Sequence, residues 1–159
     1  MNAQKFTEKS IEAIRSANQT AVEYKHNAIG QEHMLYALLA QDGGLIPQLI
    51  QKMEKDADSL RQMLRRKLSE LPSVTGGSRP ADSVYVSQDA DRALNEAEKQ
   101  ADRMKDEYVS VEHIMLGLFE TANRSLAEIF RTFNITKDEF LKALMSVRGN
   151  QRVTGQNPE

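Results

Sequence analysis

The sequence has no cysteine among its 159 residues, and it also lacks a long apolar run and a marked net charge. Without cysteine, a disulfide or a thiolate-bound metal or iron–sulfur cluster is excluded. No apolar stretch approaches the roughly 20 residues needed to cross a bilayer, and no apolar leader opens the chain. We therefore expect a cytoplasmic protein that is not exported and has no membrane partner.

The charge balance excludes a general attraction to nucleic acid, because 21 basic residues face 23 acidic ones for a net charge of −2. One local exception is the basic run Arg61, Arg65, Arg66 and Lys67. No aromatic residues are interleaved with it, so we interpret it as a solvated surface and expect no nucleic-acid partner. With 40% apolar and 28% charged residues, the composition is that of one ordinary globular domain.

Catalytic motifs are also missing from the sequence. A phosphate-binding loop of the form GxxxxGK[ST] and a nucleophile elbow of the form GxSxG are both absent. The Gly76-Gly77-Ser78-Arg79 stretch has no preceding strand and no following helix, so we assign it to a linker. We expect this segment to be non-catalytic, with no cofactor or metal of its own.

What the sequence does contain is an internal repeat with an offset of 80 residues. Glu32-His33 and Glu112-His113 are separated by this offset. Further identities at the same offset, without a gap, are Ala13/Ala93, Ala17/Ala97, Ala21/Ala101, Lys25/Lys105, Leu38/Leu118 and Leu64/Leu144. Because the matched positions are mostly apolar and helically spaced, we predict two copies of one helical unit that use equivalent core positions.

Capping residues and glycines divide each copy into four helical stretches. Gly43-Gly44 is predicted to break the chain before Ile46. The other predicted helix starts are Thr7, Gly30 and Asp56 in the first copy and Ser87, Ser110, Ser125 and Thr136 in the second. On the helix opened by Ser87, we expect Glu96 and Gln100 to be exposed. No strand alternation of useful length is present. The predicted fold is all-α, with about eight helices.

A unit of roughly 65 residues is marginal alone, so we predict that the copies share one core about a pseudo-twofold axis. The domain is predicted over residues 1–147, with the first repeat at 1–71, a linker at 72–86 that is rich in Pro, Gly and Ser, and the second repeat at 87–147. Residues 148–159 are polar and without periodicity. We interpret them as a connector toward a domain that is absent from this sequence.

The two Glu-His pairs invite a metal-site interpretation, but a zinc helix of the HExxH type needs two histidines one turn apart. Each predicted helix carries one, so a structural histidine in the first turn is the favoured interpretation for His33 and His113. His26, near a helix end, has no predicted partner. The glutamates either stabilise the positive helix ends or, with the hydroxyl caps, form two polar sites, Thr7 with Glu32 and Ser87 with Glu112.

The doubled pattern of Phe6-Thr7, the 29–33 segment IGQEH and the 108–118 segment YVSVEHIMLGL resembles the Clp N-terminal domain, the repeat module of AAA+ unfoldases. The resemblance covers the whole chain. Within the family, the 44–50 segment GLIPQLI, the 105–108 segment KDEY and the 147–154 segment VRGNQRVT resemble the ClpB branch of ATP-driven disaggregases.

This resemblance implies a monomeric domain that binds unfolded or aggregated proteins, or adaptor proteins, and passes them to a homohexameric ATPase ring. ATP and Mg²⁺ would belong to the absent ATPase domains. The implied substrate- or adaptor-binding residues are Thr7, Glu32, Ser87, Asp106 and Glu112. A ClpC- or ClpA-type alternative binds adaptors or phosphoarginine through the Thr/Glu pairs, with Ser87 standing where the family has Thr. A further alternative is a regulatory docking domain.

Overall fold

A computed structural model describes residues 3–73, 84–149 and 153–155. The predicted Gly76-Gly77-Ser78-Arg79 linker lies outside the described residues. The elements, in order, are a 3₁₀ turn (Ala3–Lys5), α1 (Glu8–Glu23), β1 (Ala28–Ile29), α2 (Gln31–Ala40), α3 (Leu45–Lys52), α4 (Ala57–Glu70), β2 (Tyr85–Val86), α5 (Gln88–Arg103), α6 (Val111–Thr121), α7 (Arg124–Thr132) and α8 (Lys137–Arg148). The eight helices of the described residues confirm the all-α prediction.

The repeat is visible in the backbone as well as in the side chains. Helices α1 and α5 begin and end 80 residues apart, as the sequence offset requires. Left-handed backbone conformations recur at the same offset, with positive φ at Lys25 and Lys105 and again at Glu54 and Asn134. Such conformations are uncommon outside glycine. Two copies of one four-helix unit are therefore present.

One hydrophobic cluster spans both repeats. It includes the buried alanine faces of α1 and α5 and the almost wholly buried helices α2 and α6. Because α2 and α6 are flanked by helices of both repeats, they are apolar nearly all round, as expected of central helices. No helix among the described residues is long and apolar enough to span a membrane.

Two short parallel backbone pairings join the repeats crosswise, and the sequence did not predict them. Strand β1 pairs with β2, matching Ile29 with Val86, and an isolated bridge joins Phe6 to Val109. Each partner lies 80 residues from its counterpart, so the two pairings are equivalent. In both pairings, the residues just before the first helix of one repeat lie beside the residues just before the second helix of the other repeat. Stretches this short leave no periodicity in the sequence.

Most predicted caps are confirmed, with one correction. The Ser87, Asp56 and Thr136 side chains accept backbone N–H groups of the first helical turn. Helix α7, however, is capped by Asn123 and not by Ser125. The Asn123 Oδ1 accepts the Leu126 N–H at 2.9 Å, and the Asn123 N–H donates to the Gln31 side chain of the other repeat at 2.7 Å. A contact between repeats thus helps to set the helix start.

The expectation that Glu96 and Gln100 are exposed is wrong. Gln100 is 6% exposed, and the Glu96 side chain is 17% exposed. The helical period places Gln100 on the same face as Ala93 and Ala97, so it is covered with them. Its amide donates to the Glu96 carboxylate at 3.0 Å, which satisfies the buried polar group.

Substitutions at equivalent core positions should lower the free energy of unfolding by similar amounts. Leu38 and Leu118 are both fully buried on the central helices. We expect Leu38→Ala and Leu118→Ala each to lower the free energy of unfolding by about 2 to 5 kcal/mol, because both leave a cavity in the shared core. Urea unfolding of the two variants measures this. A nearly neutral result for one beside a large loss for the other would contradict the shared-core arrangement.

Candidate functional site

The histidines of the Glu-His pairs act as helix caps, which confirms the structural interpretation. The His33 Nδ1 accepts the backbone N–H of Gly30, and the His113 Nδ1 accepts that of Ser110, both at 2.9 Å. Each histidine is the third residue of its helix and takes the place that Glu or Gln holds in a capping box. An Nδ1 that accepts a hydrogen bond carries no proton, so the neutral ring is protonated at Nε2.

The outer nitrogens of the two rings meet different partners. The His113 Nε2–H donates to Asp106 Oδ2 at 2.7 Å, whereas the His33 Nε2 lies 2.8 Å from His26 Nδ1. His26 and Asp106 are separated by the same 80-residue offset. The sequence interpretation left His26 without a partner, and this is wrong, because it is 7% exposed and bonded to His33.

Burial keeps the three rings neutral. Burial, with the neighbouring His26, lowers the pKa of His33 to about 4. Burial also lowers the pKa of His26, against the opposing pull of the Leu68 carbonyl and Glu32. For His113, burial lowers the pKa although Glu112 and Asp106 favour the charged form. A cationic ring could not accept the amide that holds each capping histidine, which agrees with these directions.

We expect acid to destabilise the first repeat through this histidine pair. The unfolded His33 takes up a proton below about pH 6.5 and the folded one only near pH 4, so stability is full above pH 6.5 and falls toward pH 4. His33 alone should cost about 2 kcal/mol between pH 7 and pH 5. His26→Asp, which installs the partner found in the second repeat, should raise the pKa of His33 and reduce this loss.

Urea unfolding at pH 7 and pH 5 measures the effect as a difference within each variant, so any uniform cost of the substitution cancels. His26→Asn, which adds no charge, is the matched control and should give no comparable relief. Equal acid sensitivity of the wild-type chain and His26→Asp would show that the histidine pair does not set the pH dependence.

The predicted site residues lie in two groups, but the pairing expected from the sequence is wrong. Thr7 lines one depression together with Glu112, and Ser87 lines another together with Glu32, so each hydroxyl cap shares a depression with the glutamate of the other repeat. The crossed backbone pairing is the cause. The Thr7 N–H donates to the Val109 carbonyl at 3.0 Å, and the Ser87 N–H donates to the Ile29 carbonyl at 2.9 Å.

We call the depression that contains Thr7 and Glu112 the first groove. Its volume is about 430 Å³. Its lining residues are Thr7, Lys9, Gln41, Gly43, Gly44, Leu45, Gln48, Ser110, Val111, Glu112, Leu144, Val147, Arg148 and Val153. Thr7 is fully buried there, and its hydroxyl is bonded to Ser10, so it supports the groove from below. The side chains of α3 and α8 form apolar walls above this polar floor.

Asp106 is the centre of the buried polar network under the first groove. Its side chain is 0% exposed and accepts from the His113 ring, from the Arg148 guanidinium and, at 2.8 Å, from the Val153 N–H. The Arg148 Nη1 also lies 3.6 Å from Glu112 Oε2, and the Ser110 hydroxyl donates to the same carboxylate. The structure therefore brings three predicted residues, Thr7, Asp106 and Glu112, into one region.

The second groove is the equivalent depression around Ser87 and Glu32, with a volume of about 850 Å³. The Ser87 hydroxyl donates to Asp89 Oδ1 at 2.5 Å, and the Asn123 amide bridges Asp89 and Glu32 at 2.8 and 3.4 Å. Its polar residues differ from those of the first groove. The counterpart of Arg148 at the 80-residue offset is Leu68, which is fully buried.

Arg148 and Val153 were not predicted as site residues. The sequence assigned both to a polar connector, although Arg148 is the last residue of α8 and lies one turn after the buried Leu144. Val153 is 5% exposed. The predicted boundary at residue 147 stays a prediction, but among the described residues beyond it these two contact the domain. The i, i+4 spacing from Leu144 is the signal that could have placed Arg148 on the inner face.

Comparison with known proteins places this architecture among relatives. Residues 5–133 match the family described as the Clp repeat (R) N-terminal domain. The chain is 40% identical to chaperone protein ClpB of Bacillus anthracis and 38% identical to ClpB of Nitratidesulfovibrio vulgaris, in both cases over 100% of this chain and 18% of the relative. The chain thus spans 18% of the length of these curated relatives.

Solved structures share the fold. The Hsp104 N-terminal domain from Candida albicans superposes with a TM-score of 0.83 at 24% identity, covering 96% of this chain and 97% of that one. A complex of the ClpV N-domain with a VipB peptide superposes with a TM-score of 0.72 at 17% identity, covering 95% and 91%. Since the family match spans most of the chain, the chain belongs to the Clp repeat N-terminal domain family, a non-catalytic module of AAA+ chaperones, and is ClpB-like within it.

Proposed function

We propose that this domain captures unfolded or aggregated protein segments in the first groove and passes them to the ATPase ring of a ClpB-like disaggregase. In this proposal the parent is a cytoplasmic homohexamer that binds ATP and Mg²⁺ in its ring domains, while the isolated domain is a monomer without a cofactor. The observation that carries the proposal is the first groove itself, which has apolar walls above a buried, charged floor.

The two kinds of surface suit an unfolded chain. Leu45 at the start of α3 and Val147 on α8 offer apolar contact, and the fully buried Leu144 lies behind them. Val147 is 50% exposed, so its side chain is accessible to a ligand. Lys9, whose side chain is 43% exposed, offers a polar group for the backbone of a bound segment. A site with apolar walls and a few polar groups is the common form of a binding cleft.

A relative of the same fold supports peptide binding as a property of such domains, since the ClpV N-domain forms a complex with a VipB peptide. Thr7 would act in this proposal as a support of the groove, because it is buried and its hydroxyl is bonded within the domain. Asp106 would supply the charge of the floor. The apolar side chains of the captured segment would contact the residues of the walls and the rim.

The matched pair Val147 and Met145 tests the proposal. Both lie on α8 and are about half exposed, at 50% and 47%, but only Val147 of the two lines the first groove. We expect Val147→Gln to weaken the binding of reduced, carboxymethylated α-lactalbumin about fivefold, because roughly 1 kcal/mol of apolar contact is lost. Met145→Gln should bind as the wild-type chain does.

Fluorescence anisotropy gives the affinities, and thermal unfolding verifies that both variants are folded. Equal affinities of the two variants would assign binding to another surface. Absence of α-lactalbumin binding by the wild-type chain would favour the regulatory docking alternative, in which the domain packs on its ring without holding clients.

The second groove supports a second candidate, the capture of phosphoarginine-marked substrates or adaptors as in ClpC- and ClpA-type proteins. Glu32 is 8% exposed, and within the described residues it makes no ion pair with a basic side chain. Arg92 lines the same groove. The carboxylate suits a guanidinium and Arg92 suits a phosphoryl group. Binding of a phosphoarginine peptide in the same anisotropy assay, blocked by Glu32→Gln, is the result that this candidate requires.

A further inference from the structure

The polar end of the first groove is already filled by the chain itself. The Arg148 side chain is 9% exposed and is paired with Asp106, with Glu112 at 3.6 Å on the other side. A guanidinium held between two buried carboxylates has the chemistry of a recognised ligand, because charged hydrogen bonds of this kind are strong and directional. Arg148 reaches this position from the last turn of α8.

Val153 adds backbone contacts of the kind that bind extended peptides. Its N–H donates to Asp106 Oδ1 at 2.8 Å, and its carbonyl accepts the N–H groups of Glu107 at 2.7 Å and of Tyr108 at 3.3 Å. Its side chain is 5% exposed. Main-chain hydrogen bonds combined with a buried side chain are how an extended segment is usually held on a protein surface.

The first repeat shows that the fold does not require these contacts. At the 80-residue offset, Leu68 stands in place of Arg148 and His26 in place of Asp106. Leu68 packs in the interior and the two histidines satisfy each other, so the first repeat closes with no arginine at this position. Arg148 and Val153 are therefore an addition to the second repeat, beside the groove proposed to bind clients.

We propose that Arg148 and Val153 act as an internal ligand at a site for arginine-bearing extended segments, so that a client and the chain's own residues exclude each other. This inference rests on the proposed function and specifies its ligand. A client arginine would pair with Asp106 and Glu112, and its following backbone would take the hydrogen bonds of Glu107 and Tyr108. Only molecules in which the internal ligand is undocked can bind a client, so the apparent affinity for a client falls as the docked fraction rises.

The test uses the full chain and a fluorescein-labelled peptide with the sequence of residues 147–156. A matched peptide has glutamine at both arginines. Arg148→Gln removes the internal guanidinium, and Val153→Pro removes the N–H that Asp106 accepts. Both variants should bind the arginine peptide at least about tenfold more tightly than the wild-type chain, because the docked fraction falls. The glutamine peptide should bind none of the proteins measurably, and Met145→Gln should match the wild-type chain.

Thermal unfolding is measured on every sample. If Arg148→Gln does not fold, Val153→Pro still decides, because it removes one hydrogen bond of the internal ligand, and so lowers the docked fraction, while keeping the Arg148 guanidinium. Equal peptide affinities of the wild-type chain and folded Val153→Pro, or equal binding of the two peptides, would overturn the inference. Binding of carboxymethylated α-lactalbumin is measured on the same proteins to separate the two proposals. If the wild-type chain and both variants bind it with equal affinity, the proposed function stands and only the internal ligand is ruled out.

Discussion

Gly117→Ala is expected to lower the free energy of unfolding by about 3 kcal/mol or more, at the upper end of what overpacking costs. An alanine Cβ at this position would lie 2.2 Å from the Ala93 carbonyl oxygen and 3.1 Å from the Ala97 nitrogen. Both neighbours are backbone atoms of α5, so no side chain can rotate away. Relief requires helices α5 and α6 to separate, which would disturb the core that both repeats share.

Ala37→Gly is the matched control, since Ala37 is the counterpart of Gly117 at the 80-residue offset and is 1% exposed. It should cost only about 1 kcal/mol, mainly through the lower helix propensity of glycine. Urea unfolding of the two variants gives both values. A cost for Gly117→Ala no larger than that for Ala37→Gly would mean that α5 and α6 pack less closely than described.

Asp106→Ala should be comparably severe, at about 3 to 5 kcal/mol, because it leaves the Arg148 guanidinium without its main buried partner. It also removes the acceptor for the His113 Nε2–H and for the Val153 N–H. Asp106→Asn should restore little of the stability lost in Asp106→Ala, because its amide hydrogens would face a site where three donors already converge. Loss of this residue should therefore disturb the cap of α6 and the first groove together.

Glu107→Ala is the control for Asp106→Ala. Glu107 is adjacent and carries the same charge, but it is exposed, so its substitution should stay within about 0.5 kcal/mol of the wild-type chain. Thermal and urea unfolding measure both variants. A small cost for Asp106→Ala would show that the buried network contributes little to stability. The role of Asp106 would then be in binding alone.

Much of the fold could be predicted from local patterns. The spacing of Ala93, Ala97 and Ala101 predicted α5, and the hydroxyl or carboxylate at Thr7, Asp56, Ser87 and Thr136 predicted four helix starts that the structure confirms. Such signals are local, because a cap bonds within its own first turn and a helical face repeats every 3.6 residues. The start of α7 was missed because Asn123 is held by Gln31 of the other repeat.

The candidate site was predictable as a set of residues but not as an arrangement. Thr7, Glu32, Ser87, Asp106 and Glu112 do lie at the predicted helix ends, in two groups, and their role in binding stays a prediction. Their partners were misassigned, because the sequence offset relates residues within one repeat to residues in the other and says nothing about which helix ends touch. His26 is the clearest case, since its partner His33 lies across a turn and an intervening strand.

The sequence by itself determined the helix content, the repeat and the family. Those depend on side-chain identity at regular spacing, which is present in the unfolded chain. Only the tertiary structure decided that each hydroxyl cap shares a groove with the glutamate of the other repeat, and that Arg148 and Val153 close the polar end of the first groove. The physical reason is that the crossed parallel pairing and the ion pair between Arg148 and Asp106 form only when segments far apart in the chain pack together, and spacing along the sequence does not specify such partners.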